Sequence, residues 1–267
     1  MKIALCLTGF LREKQYIVNF INFFKQINDK FDVESFDIYY SCPEFIKEPE
    51  EGNCENKEEK NEIINLFKSI ENEKIKCFIE IRNYNDETIK MFKNKLTSLN
   101  IDKITHDLHS LRALSNLYGK CCSLKLLNGT KNNYDYVISA RLDTLGFIDN
   151  IDTILNNSLN DTLTMYIWRI YPYRNNLHAE DGFFIFTPGC IDFLCKLYDD
   201  LHLLNLKNED WGPEVILGKY VNSNSNITKL FLDGVVYNAP LYQRYLQYRG
   251  TIKYNEKYNE KCNSIYK

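Results

Sequence analysis

The chain has 267 residues, of which 44% are hydrophobic and 14% aromatic, and its formal net charge is −3. This composition provides enough apolar material for one sizeable core and predicts a single large domain with at most a small appendage. Because there is no basic excess, we expect neither nucleic acid nor an anionic membrane surface as the main partner.

The cysteines and the first residues indicate the compartment. Nine cysteines occur at irregular spacings without a C-x-x-C pair, which argues against a zinc ribbon. The apolar run at the amino terminus is too short for a signal peptide, and no apolar stretch has the length of a membrane span. We therefore expect a cytoplasmic protein with reduced cysteines.

The chain begins with a strand, a glycine turn and a helix. Lys2–Leu7 is an apolar run typical of a central strand, and Glu13–Ile27 carries apolar residues at helical spacing. Glycine at position 9 permits a tight turn and a close approach of the backbone to a ligand. We expect Thr8, Gly9 and Arg12 to contact the phosphates of a nucleotide, together with the start of the helix.

Strands and helices then alternate, as in an α/β protein. Later strands are predicted at Ser35–Ser41, Lys74–Ile81, Tyr136–Ile138, Thr162–Trp168, Phe183–Phe186, Ile227–Leu232 and Val235–Tyr237. Helices are predicted at Asn61–Ile70, Asp86–Leu99 with Asp86 as its N-cap, Thr105–Leu127, Ile151–Asn156, Ile191–Leu201 and Glu214–Val221. Loops are predicted at Pro43–Lys60 and Arg169–Ala179. Residues 1–250 are expected to form one domain, and the polar tail 251–267 is expected to be partly disordered.

The stretch YDYVISARLDTLGF joins a buried strand to a charged pair. Arg141 and Asp143 follow this strand, and ligands of α/β sheets bind beyond the carboxyl ends of strands. Because the two residues are two positions apart on an extended chain, their side chains face the same side. It suits a phosphate, a divalent metal or both; the alternative is an ion pair that closes the strand end.

Further carboxylates precede a later strand and open a helix. Transfer at an activated sugar carbon needs a neutralised departing diphosphate and a carboxylate base near the acceptor hydroxyl. Asp143 suits the first role, and Asp181 or Glu180 suits the second. Glu214 is another candidate base, or a carboxylate that stabilises its helix start through the helix dipole.

Several of these segments, taken in order, carry a family resemblance. MKIALCLTGFLRE, DIYY, YDYVISARLDTLGF, EDGFFIFTP and WGPE resemble a family of GT-A-fold glycosyltransferases from bacterial surface-glycan loci and large DNA viruses. The similarity covers roughly residues 1–245. R-x-D stands here where a D-x-D metal motif stands in related sequences.

The resemblance implies a GT-A-like, Rossmann-like α/β fold with a mixed, mostly parallel sheet flanked by helices. It implies that Asp143 contacts Mn²⁺ or Mg²⁺ and the diphosphate of a nucleotide sugar, with Arg141 beside it. Arg12 and the Thr8-Gly9 turn would lie at the nucleotide, and Asp181 would deprotonate the acceptor with inversion. For a viral member, the compartment would be the host cytoplasm.

The sequence thus predicts a glycosyltransferase that moves a sugar from a UDP- or GDP-type donor to a glycan hydroxyl, assisted by a metal. A nucleotidyltransferase-type nucleotide-sugar enzyme is the first alternative, although no glycine-rich, lysine-containing phosphate loop follows the first strand. A non-catalytic glycan-binding protein is the second, since the polar loop Arg169–Asn176 suits a polyhydroxylated ligand.

Overall fold

The computed structural model describes most of the first 232 residues. The described residues are 1–9, 15–43, 57–83, 85–99, 108–130, 132–142, 144–145, 151, 155, 164–168, 170–173, 176–179, 182–207 and 212–232. The predicted strand Val235–Tyr237 and the tail 251–267 lie outside this part of the chain, as does most of the predicted helix Ile151–Asn156.

Strands and helices alternate through the described residues. The strands are β1 Lys2–Thr8, β2 Ser35–Pro43, β3 Ile75–Arg82, β4 Tyr136–Arg141, β5 Thr164–Trp168, β6 Ile170–Tyr173, β7 Asn176–Ala179, β8 Phe183–Phe186 and β9 Thr228–Leu232. The helices are α1 Gln15–Lys30, α2 Lys57–Lys68, α3 Asp86–Ser98, α4 Leu108–Asn128, α5 Ile191–Leu194 and α6 Pro213–Ser223, with 3₁₀ turns at Pro188–Cys190 and Asp199–Leu204.

Seven strands form one mixed sheet in the order β3-β2-β1-β4-β8-β5-β9. Strands β3, β2, β1 and β4 are mutually parallel, as are β5 and β9, whereas β8 is antiparallel to both of its neighbours. The order β3-β2-β1-β4 is that of the first half of a doubly wound sheet. The predicted fold class is confirmed as an α/β, Rossmann-like fold with a mixed, mostly parallel sheet flanked by helices.

Helices cover both faces of the sheet, which explains the continuous apolar strands. Ile3, Leu5 and Leu7 of β1 point to the face that carries α1 and α2. Ala4 and Cys6 point to the opposite face, which carries α3, α4, α5 and α6. Successive side chains of a strand alternate between the two faces, so a strand buried on both sides is apolar throughout.

Two local predictions are wrong. The N-cap of α3 is Asn85 rather than Asp86: its side-chain oxygen accepts a hydrogen bond from the Thr88 amide at 3.1 Å, so Asp86 is the first helical residue. The predicted loop 169–179 contains the antiparallel strands β6 and β7. Its Ile and Tyr residues favour strands, and the polar residues between them masked that signal.

The predicted helix Ile191–Leu201 is also interrupted. It is helical over α5, continues through turns and ends in a 3₁₀ segment. At Tyr198 the backbone amide donates to the Cys121 thiol of α4 at 3.3 Å instead of to a helical carbonyl. This contact joins two distant parts of the chain and replaces a hydrogen bond within the helix. The local sequence therefore does not predict the interruption.

The described part of the chain contains neither a membrane-spanning helix nor a disulfide bond. None of its helices combines the length and the apolar character needed to cross a membrane. The seven cysteines that fall within it are all free thiols, as the sequence predicts for a reduced protein.

Candidate functional site

The order of the strands reverses between β1 and β4. From β1 the chain moves through α1 to β2 and then to β3, whereas β4 lies on the other side of β1. In open α/β sheets, ligands bind at such a switch point, outside the carboxyl ends of the strands. Here those ends are Thr8 and Arg141, which are paired in register, and the Leu142 amide donates to the Thr8 carbonyl at 3.0 Å.

The backbone after β1 is suited to a close ligand contact. Gly9 has φ +99°, a conformation that residues with a side chain seldom adopt. A Cβ atom at this position would meet no described atom within 4 Å. The Tyr40 hydroxyl donates to the Gly9 carbonyl at 2.8 Å, so the turn is held from β2. Thr8 and Gly9 therefore lie at the carboxyl end of β1, and their contact with a nucleotide stays a prediction.

The end of β4 and the start of β8 are joined by hydrogen bonds. The Arg141 amide donates to the Gly182 carbonyl at 2.8 Å. The Thr144 hydroxyl lies 2.8 Å from the carbonyl oxygens of both Arg141 and Gly182. These contacts bring Arg141 and Thr144 next to Gly182.

Four of the predicted site residues lie outside the described part of the chain. They are Arg12, Asp143, Glu180 and Asp181. Their predicted roles stay predictions, and the described contacts concern only the residues beside them in sequence.

The strand ends at the switch point face α4. Ala4, Cys6 and Val137 pack on the α4 side, so alternation places Thr8 and Arg141 on that side too. Contact at Thr8 agrees with this: a Cβ atom on Gly119 of α4 would lie only 2.6 Å from the Thr8 hydroxyl oxygen. We call the α4-facing ends of these strands, with the adjoining turn of α4, the carboxyl rim. It comprises Thr8, Ser41, Arg82, Tyr118, Gly119 and Arg141.

Arg82, which sequence analysis did not single out, reaches along this rim. It ends β3, and its Nη2 atom donates to the Ser41 carbonyl of β2 at 3.3 Å. The same atom is 3.1 Å from the Cβ position of Gly119. The guanidinium carbon lies 5.2 Å from the centre of the Tyr118 ring, within the range of a cation–π contact. Arg82 ends its strand as Arg141 ends β4, and that parallel was the available sequence signal.

Two polar atoms of the rim are buried without a hydrogen-bond partner. They are the Thr8 hydroxyl oxygen, in a residue 1% exposed, and Nε of Arg82. A buried polar group left unpaired costs about 1–3 kcal/mol, so native structures keep few of them. Both atoms lie on side chains that converge beside Gly119.

Positive charge dominates the described rim. Arg82 and Arg141 end two of its strands, and Lys120 of α4 is 2% exposed with Nζ 5.6 Å from the centre of the Phe184 ring. The nearby carboxylate of Glu80 accepts a hydrogen bond from the Ser41 hydroxyl at 2.7 Å. This balance of charge suits an anionic ligand.

The thiols near the rim are unsuited to nucleophilic chemistry. Burial raises the pKa of Cys42 to about 12, although Arg82 acts in the opposite direction. Burial is also the main cause that raises the pKa of Cys122. Because the thiolate is the nucleophile, both groups are neutral and weakly reactive at neutral pH.

The fit of a divalent metal depends on one predicted carboxylate. Arg141 occupies the first position of the R-x-D segment, and within the described residues no group of three or more His, Cys, Asp or Glu side chains could hold an ion. Mg²⁺ is often bound by one or two carboxylates together with substrate phosphates. A single carboxylate at Asp143 is therefore compatible with a metal that the substrate also coordinates.

Glu214 lies in the first turn of α6. Its side chain is half-buried, and Oε2 is 3.4 Å from the Cβ position of Gly212, the N-cap. A carboxylate in the first turn is stabilised by the helix dipole. Strand β7 of the β6–β7 hairpin packs beside this helix.

Comparison with known proteins gives structural likenesses only. No family model matches the chain, and no curated protein matches it. A Bacillus anthracis protein described as a glucose-1-phosphate thymidylyltransferase, solved with sucrose, is similar with TM-score 0.40 and 12% identity, over 97% of this chain and 98% of that one. The core-mannan synthase A of Aspergillus fumigatus, in its Mn/GDP form, is similar with TM-score 0.39 and 11% identity, over 87% of this chain and 73% of that one. Because both TM-scores are below 0.5, the activity is argued below from the site itself.

Proposed function

We propose that this protein is a glycosyltransferase that moves a hexose or deoxyhexose from a UDP- or GDP-type nucleotide sugar to a hydroxyl of a glycan. The bond between the anomeric carbon and the diphosphate breaks, and a bond from that carbon to the acceptor oxygen forms. The acceptor proton passes to a carboxylate of the protein, and the nucleoside diphosphate leaves. Inversion at the anomeric carbon and a cytoplasmic location belong to the same proposal.

The observation that carries the proposal is the pairing of Thr8 with Arg141 at the switch point. There the strand that ends in a glycine turn, with no described atom within 4 Å of a Cβ position on Gly9, is paired with the strand that ends in Arg141. Backbone amides at such a turn and a charged fork together suit phosphate oxygens. The described ends of β1 and β4 therefore support a site for a diphosphate, with Arg12 proposed as a further contact.

The acid–base roles rest on the neighbours of the predicted carboxylates. The contacts among Arg141, Thr144 and Gly182 join the described residues that stand beside Asp143 and Asp181 in the sequence, and this supports the proposal. We assign diphosphate binding to Asp143 and deprotonation of the acceptor to Asp181, with Glu180 beside it. Glu214 is kept as the second candidate base.

A divalent cation, Mn²⁺ or Mg²⁺, would be held by Asp143 together with the donor phosphates. When bound, it neutralises charge on the departing diphosphate. Arg141, in place of a first carboxylate, keeps its own positive charge beside the same phosphates. The protein thus contributes both a metal ligand and a fixed cation.

A nucleotide panel tests the proposal. The purified protein is heated with UDP, GDP, CDP or TDP, with Mn²⁺ and with EDTA. A ligand that binds only the folded state raises the melting temperature. We expect UDP or GDP to raise it, and the corresponding nucleotide sugars to be hydrolysed or transferred.

The products separate the alternatives. Release of a nucleoside diphosphate supports a glycosyltransferase, whereas release of pyrophosphate indicates a nucleotidyltransferase. Glycan binding without turnover of any donor indicates a non-catalytic protein. If no nucleoside diphosphate binds with or without Mn²⁺, the proposed function is wrong.

A further inference from the structure

We propose that Arg82 is a further donor-binding residue, which binds a phosphate of the nucleoside diphosphate from the side of the Thr8–Gly9 turn opposite Arg141. This inference rests on the proposed function. It adds a residue from β3, a strand to which the sequence analysis assigned no part in the site.

Arg82 reaches the turn although β2 separates its strand from β1. Its Nη2 atom passes the end of β2, where it meets the Ser41 carbonyl, and approaches Gly119 at the point where the Thr8 hydroxyl also arrives. Arg141 is paired with Thr8 from the β4 side. The two arginines therefore flank the end of β1.

Gly119 makes this approach possible. A Cβ atom there would lie 2.6 Å from the Thr8 oxygen and 3.1 Å from Nη2 of Arg82, closer than packed atoms tolerate. Because Gly119 has no side chain, the Thr8 hydroxyl and Nη2 of Arg82 can both approach the α4 backbone there.

The contacts of Arg82 leave it available to an anion. Among the described residues, its guanidinium donates to one carbonyl, that of Ser41, and its face lies on the Tyr118 ring. The carboxylate on the same strand, Glu80, is bonded to the Ser41 hydroxyl. A guanidinium carries five donors in a rigid fork that matches phosphate geometry. Since its face is already covered by Tyr118, its edge is the part that can meet a ligand.

Two unpartnered polar atoms point to the same ligand. Nε of Arg82 and the Thr8 hydroxyl are buried without hydrogen bonds. A phosphate seated beside Gly119 offers acceptor oxygens to both after a small adjustment of the Arg82 side chain. Arg82 as a whole residue is only partly buried, so part of its side chain is exposed although Nε is not.

The test compares nucleotide affinity in Arg82→Gln, Arg82→Lys and a matched control. Lys95→Met is the control, because Lys95 of α3 also lies 5.2 Å from an aromatic ring, that of Tyr198, while its amine donates to the Asp199 carbonyl and not to a residue of the rim. Affinities for UDP, GDP, their monophosphates and uridine or guanosine are measured by calorimetry, and the melting temperature of each free variant is recorded.

Arg82→Gln is expected to weaken diphosphate binding roughly 10- to 100-fold, as for a lost charged hydrogen bond. Arg82→Lys should recover part of the loss, since it keeps the charge without the fork. Lys95→Met should bind as the wild type does. If Arg82→Gln does not fold, Tyr118→Leu is used instead: it removes the ring under the guanidinium together with the ring contacts to Phe92 and Tyr198, and it should weaken diphosphate binding by a smaller factor.

Each result that differs from these expectations contradicts the inference about Arg82, its assignment to the phosphate, or the proposed function. Wild-type affinity in both Arg82→Gln and Tyr118→Leu removes this inference and leaves the proposed function intact. An equal loss for the nucleoside and the diphosphate places Arg82 at the base and refutes the phosphate assignment. If the wild type binds no nucleoside diphosphate, the proposed function fails and this inference fails with it.

Discussion

Two polar clusters lie on the α4 side of the sheet, one near the amino ends of the strands and one at their carboxyl ends. The first, which we call the amino-edge cluster, comprises Asp37, Tyr39, Thr130, Asn132 and Tyr134; the second is the carboxyl rim. They differ in whether their polar groups have hydrogen-bond partners. At the amino edge, the Tyr134 hydroxyl donates to Asp37 Oδ2 at 2.7 Å and lies 2.6 Å from the Tyr39 hydroxyl. Tyr39 in turn meets Thr130, and Tyr134 meets Asn132. At the carboxyl rim, the Thr8 hydroxyl and Nε of Arg82 have no partner.

The difference separates a structural cluster from a ligand site. The amino-edge cluster ties the connection between α4 and β4 to β2, and only Oδ1 of Asp37 stays without a bond. Tyr39 stacks on Phe78 and meets the Tyr134 ring edge to face, and both pairs add apolar contact. The carboxyl rim instead holds cations and unpaired donors beside an open turn. Changes at the amino edge should therefore cost stability, and changes at the rim should cost binding or turnover.

The largest effect is expected from Asp181→Asn. An amide cannot accept the acceptor proton, so turnover should fall roughly 10²- to 10⁴-fold while diphosphate affinity is kept. Turnover and calorimetric affinity are measured on the same preparation. Asp37→Asn, an identical substitution in the amino-edge cluster, is the control and should keep the turnover of the folded protein. Wild-type turnover in Asp181→Asn would falsify the assignment of the base.

The next effect is on metal-dependent donor binding. Asp143→Asn removes the proposed metal ligand, so the affinity for the donor nucleotide in Mn²⁺ should fall to the value measured in EDTA. The affinity in EDTA should change less, because Arg141 and Arg82 remain. An undiminished response to Mn²⁺ in the variant means that the metal is held elsewhere.

A stability effect is expected from Tyr134→Phe at the amino edge. The change removes the hydroxyl between Asp37 and Tyr39 and leaves a buried carboxylate oxygen unpaired, at a cost of about 1–3 kcal/mol. The melting temperature should fall by several degrees, with diphosphate affinity unchanged. Tyr198→Phe is the matched control: that hydroxyl is buried without a partner, so its removal should be neutral or stabilising. Loss of nucleotide binding in Tyr134→Phe would break the division between the two edges.

A smaller effect on the free energy of unfolding is expected from Gly119→Ala, and its sign should change when Thr8 is replaced as well. Alanine gains about 1 kcal/mol of helix propensity but meets the Thr8 oxygen at 2.6 Å, and overpacking costs about 1–3 kcal/mol. Gly119→Ala should therefore destabilise the protein slightly. With Thr8→Ala as background the 2.6 Å contact disappears and only the 3.1 Å approach to the end of the flexible Arg82 side chain remains, so the same change should become stabilising. A double-mutant cycle of unfolding free energies measures this; additive effects would show that the two residues do not touch.

The smallest effect concerns alkaline pH. Burial, followed by its hydrogen bonds to Tyr39 and Asp37, raises the pKa of Tyr134. In the unfolded chain tyrosine ionises near pH 10, so above that pH the unfolded state holds fewer protons than the folded state. The free energy of unfolding then falls as pH rises. Melting temperatures between about pH 9 and 11 should fall less steeply for Tyr134→Phe; parallel slopes would exclude Tyr134 as a source.

Much of the fold follows from local pattern. Runs such as Ile3–Leu7 and Phe183–Phe186 are apolar at every position, because strands covered on both faces bury both sets of side chains. Turn and strand-end residues then follow from where such a run stops, which is why Thr8, Gly9 and Arg141 could be placed in advance. The hairpin β6–β7 was missed because polar residues interrupt its strand signal.

What the sequence by itself determined is most of the list of elements and some of the residues at their ends, such as Thr8 and Arg141. Only the tertiary structure decided which of these ends meet, because strand order depends on how helices cover both faces and not on spacing along the chain. Arg82 is 74 residues from Thr8, and no local pattern relates them; their approach depends on β2 lying between their strands and on a glycine at position 119 of α4. A contact between distant parts of the chain also interrupts the helix after Leu194. There the Tyr198 amide donates to the Cys121 thiol of α4 and not to a carbonyl of its own helix.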